Sequence, residues 1–444
     1  MEKNNTINKE NNLEIAFVFL CFFIYFTWSL MQPYNSCPDE YMRYDIPKFI
    51  FQYGKLPLGE DPSIRNPIWG ISYGFRPVLP ALISSILMKC VNLFSTNDFA
   101  LLMGARMGSI LASIGTVIFT IKISKKLFKK SIAWIFIIFV SLLPQFIFIS
   151  TYVNCDALAV FSTSIIIYYW IVGYDTHWNM RSCVGLAIGL SICALSYSNA
   201  YGFILISIIF FFWSSINFKD EPNKIKNMIK RAIFISIIVF LLAGWWFIRN
   251  FMLYKDFFGH NTELKYSELY ANDEYKPSNR KTPYNLGYTF LYMLFRMGWL
   301  KESYYSFVGK FGYMSIPLDD WMYWIYNGLF LVALVGFLFR KKQREKENKY
   351  IMDSRMIIFY ICMFLSAIIP ILLSIYYSFS EGFQPQGRYC LPMLIPFAFF
   401  IVKGIDKVYD HLPHFKENFL FIIVLSSLVV AFACLFQLIP KSYF

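Results

Sequence analysis

Long apolar runs alternate with short polar connections along almost the whole chain. Runs near membrane length lie at 13–31, 100–121, 132–150, 157–173, 182–197, 201–217, 232–252, 322–339, 356–377, 389–403 and 419–438. A helix needs roughly 20 apolar residues to cross a hydrocarbon core of about 30 Å. Only helices and closed barrels satisfy the backbone in lipid, and these runs are too continuous for barrel strands. The pattern predicts an all-α polytopic membrane protein, a single transmembrane domain over 1–444 with about eleven spans. The short runs 182–197 and 201–217 also admit a shallow hairpin.

One run resists this reading. Phe75 to Phe94 contains Arg76, Pro77, Pro80 and Lys89. The basic connections decide how to treat it. Lys122, Lys125, Lys126, Lys129 and Lys130 crowd one short loop, which the positive-inside rule places in the cytoplasm. With 75–94 interfacial or re-entrant, two further clusters fall inside too: Lys219, Lys224, Lys226, Lys230 and Arg231, then Arg340, Lys341, Lys342, Arg344, Lys346 and Lys349. The N-terminus is then inside and the C-terminus outside. The outer segments are 32–99, 151–156, 253–321 and 378–388.

Two outer stretches have their own periodicity. Met42, Ile46, Phe49, Ile50 and Tyr53 recur at helical spacing, with Lys48 and Gln52 on another face. That predicts a helix lying on the membrane and ended by Gly54-Lys55-Leu56-Pro57. Residues 253–283 are polar and turn-rich, whereas 285–300 turn apolar again and predict a second interfacial helix.

Composition changes this picture little. The chain is 57% hydrophobic and carries a formal net charge of +13, which the basic inner loops explain without nucleic acid. Nine cysteines without a C-x-x-C pair imply neither a zinc site nor a disulfide scaffold. Gln32-Pro33-Tyr34 follows the first run with no small-x-small cleavage pattern, so that run reads as an uncleaved anchor. A Walker motif, G-x-G-x-x-G and a nucleophile elbow are all missing, which leaves ATP-driven and serine-hydrolase readings without support.

The candidate chemistry sits at the outer ends of the runs. Asp39 and Glu40 are adjacent carboxylates just after the first span; by spacing alone a plain helix cap with a first-turn acid is the better explanation. Asp156 opens an apolar run in the same way and is expected on the same face. Arg388 enters a span from outside, where a guanidinium either forks onto a phosphate or snorkels to headgroups. Arg249 sits similarly beside Trp245 and Trp246, and Arg296 and Lys301 bracket the second interfacial helix. His411-x-x-His414 has ligand spacing without acidic partners, and Cys37 and Cys155, each near a key acid, are expected as free thiols.

Together these motifs resemble the GT-C membrane glycosyltransferases, and a group of uncharacterised bacterial membrane proteins within them. Pro38-Asp39-Glu40 follows the first span, and the helix after it ends in Gly-x-Leu-Pro. Ala105-Arg106, Lys126-Leu127-Phe128, Leu143-Pro144-Gln145 and Val153-Asn154-Cys155-Asp156 come next. Trp246-x-x-Arg249-Asn250-x-x-x-Tyr254, Ser306-Phe307-x-Gly309-x-Phe311-Gly312 and Gln386-Gly387-Arg388-Tyr389-x-Leu391-Pro392 complete the set.

The resemblance implies a GT-C-like helical bundle of the plasma membrane that works on the extracytoplasmic face. It implies a polyprenyl-phosphate sugar donor and an extracytoplasmic glycan, teichoic acid or lipid as acceptor. Asp39, Glu40 and Asp156 become the catalytic acids. Arg388, Arg249, Arg296 and Lys301 become donor-phosphate contacts, and Arg43, Asn154 and Tyr389 acceptor or sugar contacts. A divalent metal, if used, would be held by Asp39 and Asp156. Arg43 stands near the point where many relatives carry a histidine. A flippase of lipid-linked sugars and a non-catalytic scaffold are the rivals. The first would place charges near the bilayer midplane; the second would tolerate neutralising both acids.

Overall fold

The computed structural model describes residues 2–218, 221–339, 354–411 and 416–439. The cluster from Arg340 to Lys349, Lys219 and His414 lie outside the described residues. Among the described residues nine helices are long and apolar enough to cross a membrane. They are Asn11–Met31, Asp98–Leu127, Asp156–Asp175, Ser198–Ile216, Lys224–Tyr254, Asp320–Leu338, Ile357–Ser380, Gly387–His411 and Asn418–Phe436. Each overlaps an expected run. The two remaining expected spans are shorter. Ser131–Leu142 stops where Leu143-Pro144 interrupts it, because proline lacks the N–H the helix needs there. A new short helix, Pro144–Ile149, starts at that proline. The other is Met180–Ala194, whose 15 residues reach about 22 Å.

Helix α1 (Glu2–Met31) leads through a turn into α2 (Glu40–Tyr53). Gly54 adopts the left-handed conformation and donates to the Ile50 carbonyl, ending α2 at the expected place. Its apolar face is not given to lipid. Ile46, Phe49 and Ile50 pack with Val78, Ala194, Leu195 and Trp246. The ambiguous run becomes α3 (Leu79–Asn92), 14 residues and about 21 Å long, too short to cross.

Helix α4 (Asp98–Leu127) folds back on α3 at close range. Gly104 and Gly108 allow this: a Cβ on Gly108 would meet Ser84 Oγ at 2.9 Å, and Ser84 Oγ donates to the Ala105 carbonyl at 2.9 Å. Helix α7 (Asp156–Asp175) packs beside α4. Asp175, at its far end, pairs with Lys126 at 2.9 Å. Twenty residues of helix, about 30 Å, therefore separate Asp156 from the basic loop.

The expected helix over 285–300 is not continuous. A π-helical turn, Tyr292–Arg296, ends at Gly298, which sits at φ 76°, and a separate helix, Trp299–Gly309, begins there. The break lets Trp299 turn inward: it is buried and donates from Nε1 to Ser378 Oγ at 2.8 Å.

The outer segments are knitted to one another. Arg76 grips Glu263 with two hydrogen bonds, of 3.1 and 2.6 Å. Tyr266 donates to Glu60, the Arg65 guanidinium lies 3.8 Å from the Tyr270 ring centroid, and Asn272 N–H donates to the Ile68 carbonyl. The polar, turn-rich stretch is thus the partner of the first outer segment.

Candidate functional site

These segments roof a cavity of about 770 Å³ at the helix ends that carry Asp156 and Asp39. Of the residues expected in the site, Asp39, Asp156, Arg43, Arg388 and Tyr389 line it, while Glu40, Asn154, Arg249, Arg296 and Lys301 do not. Five carboxylates and five lysine or arginine cations line it, so bulk charge does not make it an anion trap and the local arrangement decides.

Asp39 precedes α2 in the left-handed conformation, φ 64°, a region that aspartate tolerates better than most side chains. That backbone sends neighbouring side chains apart. Asp39 accepts from Arg388 Nη2 at 2.6 Å through Oδ2 and keeps 36% of its side chain exposed. Burial pushes its carboxyl up, and the Arg388 and Arg43 guanidiniums outweigh that, so its pKa lies below the ordinary carboxylate value.

Glu40 turns the other way and is sealed. Its two oxygens accept from Arg106 Nε at 2.8 Å and Nη2 at 2.9 Å, from Asn35 N–H at 3.0 Å and from Val153 N–H at 3.3 Å. Arg106 also donates to the carbonyls of Ser29, Gln32 and Pro33. Both side chains are fully buried. Glu40, expected beside Asp39 as a catalytic acid, instead clamps three outer turns together.

Arg388 is held by its motif. Gly387 packs against the Phe307 backbone, where a Cβ would lie 2.2 Å from the Phe307 nitrogen, and its N–H donates to Ser306 Oγ. Ser306-Phe307 therefore seats the residue before Arg388. Arg388 Nε donates to Gln386 Oε1, Nη1 to the Pro38 carbonyl and Tyr152 hydroxyl, and Nη2 to Asp39 and the Tyr389 hydroxyl. All five N–H groups of this guanidinium are engaged.

Arg43 is the opposite case. Its guanidinium lies 4.0 Å from the Tyr73 ring centroid, and among the described residues it has no side-chain hydrogen bond or ion pair. Arg76 lies 4.2 Å from the same ring centroid. Tyr73 thus supports two cations, with Arg43 presenting unfilled donors to the cavity.

Asp156 opens α7 at the cavity wall and is only 4% exposed. Its Oδ1 is buried without a hydrogen-bond partner among the described residues, a costly state. Asn154, expected to touch a sugar, is a helix cap: it accepts from Ala157 N–H at 2.9 Å and donates to the Ile149 and Tyr152 carbonyls.

Arg249 likewise leaves the expected phosphate role for a structural one. It donates to the Pro57 carbonyl at 2.8 Å, Asn250 donates to the Phe75 carbonyl, and the Tyr254 hydroxyl accepts from Gly59 N–H. The Trp-x-x-Arg-Asn-x-x-x-Tyr motif is therefore a rack for the first outer segment. Arg296 and Lys301 are exposed and lie off the cavity.

Sequence reading missed Arg76, Tyr73, Tyr197 and Glu263, all on the cavity wall. It also treated Arg106 as a landmark, although a charge inside an apolar run calls for a buried partner, and Glu40 was at hand. The donor set does not fit a divalent cation. Among the described residues no group of three or more His, Cys, Asp or Glu side chains could hold a metal ion, and the Asp39 carboxylate is already paired with Arg388.

The family described as "Predicted membrane protein (DUF2142)" matches residues 81–396. The chain belongs to that family. No curated protein matches it in sequence. The oligosaccharyltransferase of Archaeoglobus fulgidus in its apo form superposes with a TM-score of 0.57 at 13% identity, over 97% of this chain and 56% of its own. Apo ArnT from Cupriavidus metallidurans superposes with a TM-score of 0.54 at 12% identity, over 94% of this chain and 62% of its own. ArnT bound to undecaprenyl phosphate gives 0.54 at 11% identity, over 98% and 74% respectively. The chain spans about 56–62% of the length of the first two. The likeness establishes a GT-C fold.

Proposed function

We propose that this protein is a glycosyltransferase that moves one sugar from a polyprenyl-phosphate donor to an acceptor in the cavity. The observation that carries the reading is the meeting of Asp39, Asp156, Arg43 and Arg388 in one cavity at one end of the bundle. In this reaction an acceptor hydroxyl attacks the anomeric carbon and gives its proton to a base. The bond from that carbon to the phosphate oxygen breaks, and polyprenyl phosphate leaves with the electron pair. The leaving group is stable as an anion and needs donors more than it needs an acid. ArnT, of the same fold, is known in complex with undecaprenyl phosphate, which supports this donor class.

Arg43 is the first phosphate contact, because its N–H groups are unfilled and its guanidinium rests over the Tyr73 ring. Arg388 is saturated, so a phosphate reaching it must displace a partner, and Asp39, half-buried and held through one oxygen, is the anionic one that phosphate replaces in kind. Phosphate binding at Arg388 thus releases Asp39 to act as the base. Asp156 offers its free Oδ1 to an acceptor or sugar hydroxyl. Glu40 with Arg106 positions the Asp39 turn without touching substrate. With the basic loop inside by the positive-inside rule, the cavity opens on the extracytoplasmic face of the plasma membrane.

The test is mass spectrometry of surface glycans and lipid-linked sugars from cells with and without the protein. A missing sugar, with its polyprenyl-phosphate donor accumulating, supports the proposal. Unchanged glycans and lipids sink it. In the same cells single cysteines at Ser95 and at the exposed Lys129 of the basic loop, in a cysteine-free background, should label from outside and inside respectively.

A further inference from the structure

We infer that the part of the cavity around Trp69 is a saccharide subsite, in which a sugar ring stacks on the indole and meets polar side chains at its edge. Calling it the acceptor site rests on the glycosyl-transfer reading above; the binding itself does not.

Trp69 lines the cavity and is 39% exposed. It is held there by construction. Asn66 Oδ1 accepts from the N–H groups of Ile68 and Trp69 at 2.9 and 3.0 Å, and Gly70 N–H returns to the Asn66 carbonyl at 2.9 Å. Gly70 sits at φ 67°, where a Cβ would lie 2.3 Å from the Ala271 nitrogen, so only glycine allows the turn to dock. Ser267 Oγ donates to the Trp69 carbonyl at 3.2 Å, and the Tyr275 ring lies 4.5 Å from the indole at 55°. Two aromatic faces are thus preset in one wall.

The neighbours specify what those faces receive. Glu274 and Lys281 line the same cavity, are exposed, and among the described residues have no side-chain hydrogen bond. Arg280 and Glu381 face each other at 3.9 Å, too long for a hydrogen bond, which leaves both with free capacity. Acceptors and donors of both signs therefore ring an aromatic surface. An acyl chain here would strip water from four charged groups without compensation. An anionic headgroup would meet two carboxylates. A sugar ring suits both features: its C–H face carries slight positive charge toward the negative face of the indole, and its hydroxyls both donate and accept.

The location suits the chemistry. Four residues after Trp69 comes Tyr73, the ring that supports Arg43 and Arg76. A saccharide on Trp69 and a sugar phosphate on Arg43 share one chamber. Its 770 Å³ lies high in the range of roughly 300–1,000 Å³ typical of ligand pockets, which leaves room for both.

The experiment uses the full chain in nanodiscs on an array of bacterial surface saccharides, displayed free and on a lipid carrier, with undecaprenyl phosphate binding measured alongside. At least one saccharide should bind. Trp69→Ala should weaken it about tenfold, Trp69→Phe should keep most of the affinity, and undecaprenyl phosphate binding should stay within about twofold in both. Binding of the free form or of the lipid-carried form supports the inference and tells which source supplies the sugar. Should Trp69→Ala misfold, the double variant Glu274→Gln, Lys281→Met replaces it, with weakened saccharide binding expected. No binding to any saccharide, or equal binding by parent and variants, overturns the inference; an indole serving only as a membrane anchor gives that second result. Failure of undecaprenyl phosphate to bind the parent protein would count against the donor reading and leave the saccharide result standing.

Discussion

Asp39 and Glu40 are joined by one peptide bond, and each meets an arginine from far along the chain. Glu40 pairs with Arg106 in a region closed to solvent, with every carboxylate oxygen used by the protein. Asp39 pairs with Arg388 at the cavity edge through one oxygen only. The pairs are alike in charge, and they differ in geometry, in solvent access and in spare hydrogen-bond capacity. A saturated buried pair resists change and cannot take a proton from a substrate. A pair with one open side is free to exchange partners. The left-handed turn at Asp39 creates the difference by pointing adjacent side chains into separate regions.

Breaking the sealed pair should have the largest effect. Arg106→Ala leaves Glu40 charged and buried, which costs about 3–5 kcal/mol. Thermal unfolding in detergent should show a clear drop, with loss of folded protein on size exclusion. An unchanged melting temperature would mean that the Glu40 clamp does not hold the outer turns.

Breaking the open pair should leave the fold and remove the chemistry. Asp39→Asn keeps the size and the tolerance for the left-handed region but not the basicity. In a transfer assay with purified protein kcat should fall about 10²-fold or more, with little change in donor KM. Parent-like activity at matched folded amounts would end the assignment of Asp39 as base.

The smallest effects should sharpen the division between the two cavity arginines. Arg43→Ala should raise donor KM about tenfold, as expected for a charge-assisted contact. Arg388→Ala should raise donor KM and lower kcat as well, because Arg388 meets the phosphate and couples its binding to release of the base, and lysine should rescue only in part. The pH profile gives the sign. Burial pushes the Asp39 carboxyl up and Arg388 pulls it below the ordinary value, so removing the guanidinium moves the acid limb of kcat/KM to higher pH. In the parent the depressed pKa adds stability above the unfolded-state pKa, and that stability is lost as pH falls through the folded value. An acid limb at the same pH in Arg388→Ala would separate the limb from this pair.

Much of the site could be read from residue types at the ends of apolar runs. Asp39, Asp156 and Arg388 are legible there, Arg43 and Tyr389 only through the family resemblance, and all five line one cavity. The readings that changed share a cause. Arg249 and Glu40 have the right chemistry at the right end of the bundle, but their hydrogen bonds run to elements far along the chain, and Asn154 spends its side chain on nearby backbone. Arg76 lies in a run whose prolines and charges blur its role, and Tyr73 lies just before that run.

The spans, the helix of α2 and its glycine stop were determined by the sequence alone, because apolar length, 3.6-residue periodicity and turn chemistry are properties of neighbouring residues. Which acid is sealed and which faces the cavity belonged to the tertiary structure. Those choices depend on arginines 66 and 349 positions away along the chain. The same holds for the break at Gly298, where burial of Trp299 against Ser378 overrides an apolar run that reads locally as one helix. Pairing across such distances is set by how helices pack, and no window of sequence contains both partners.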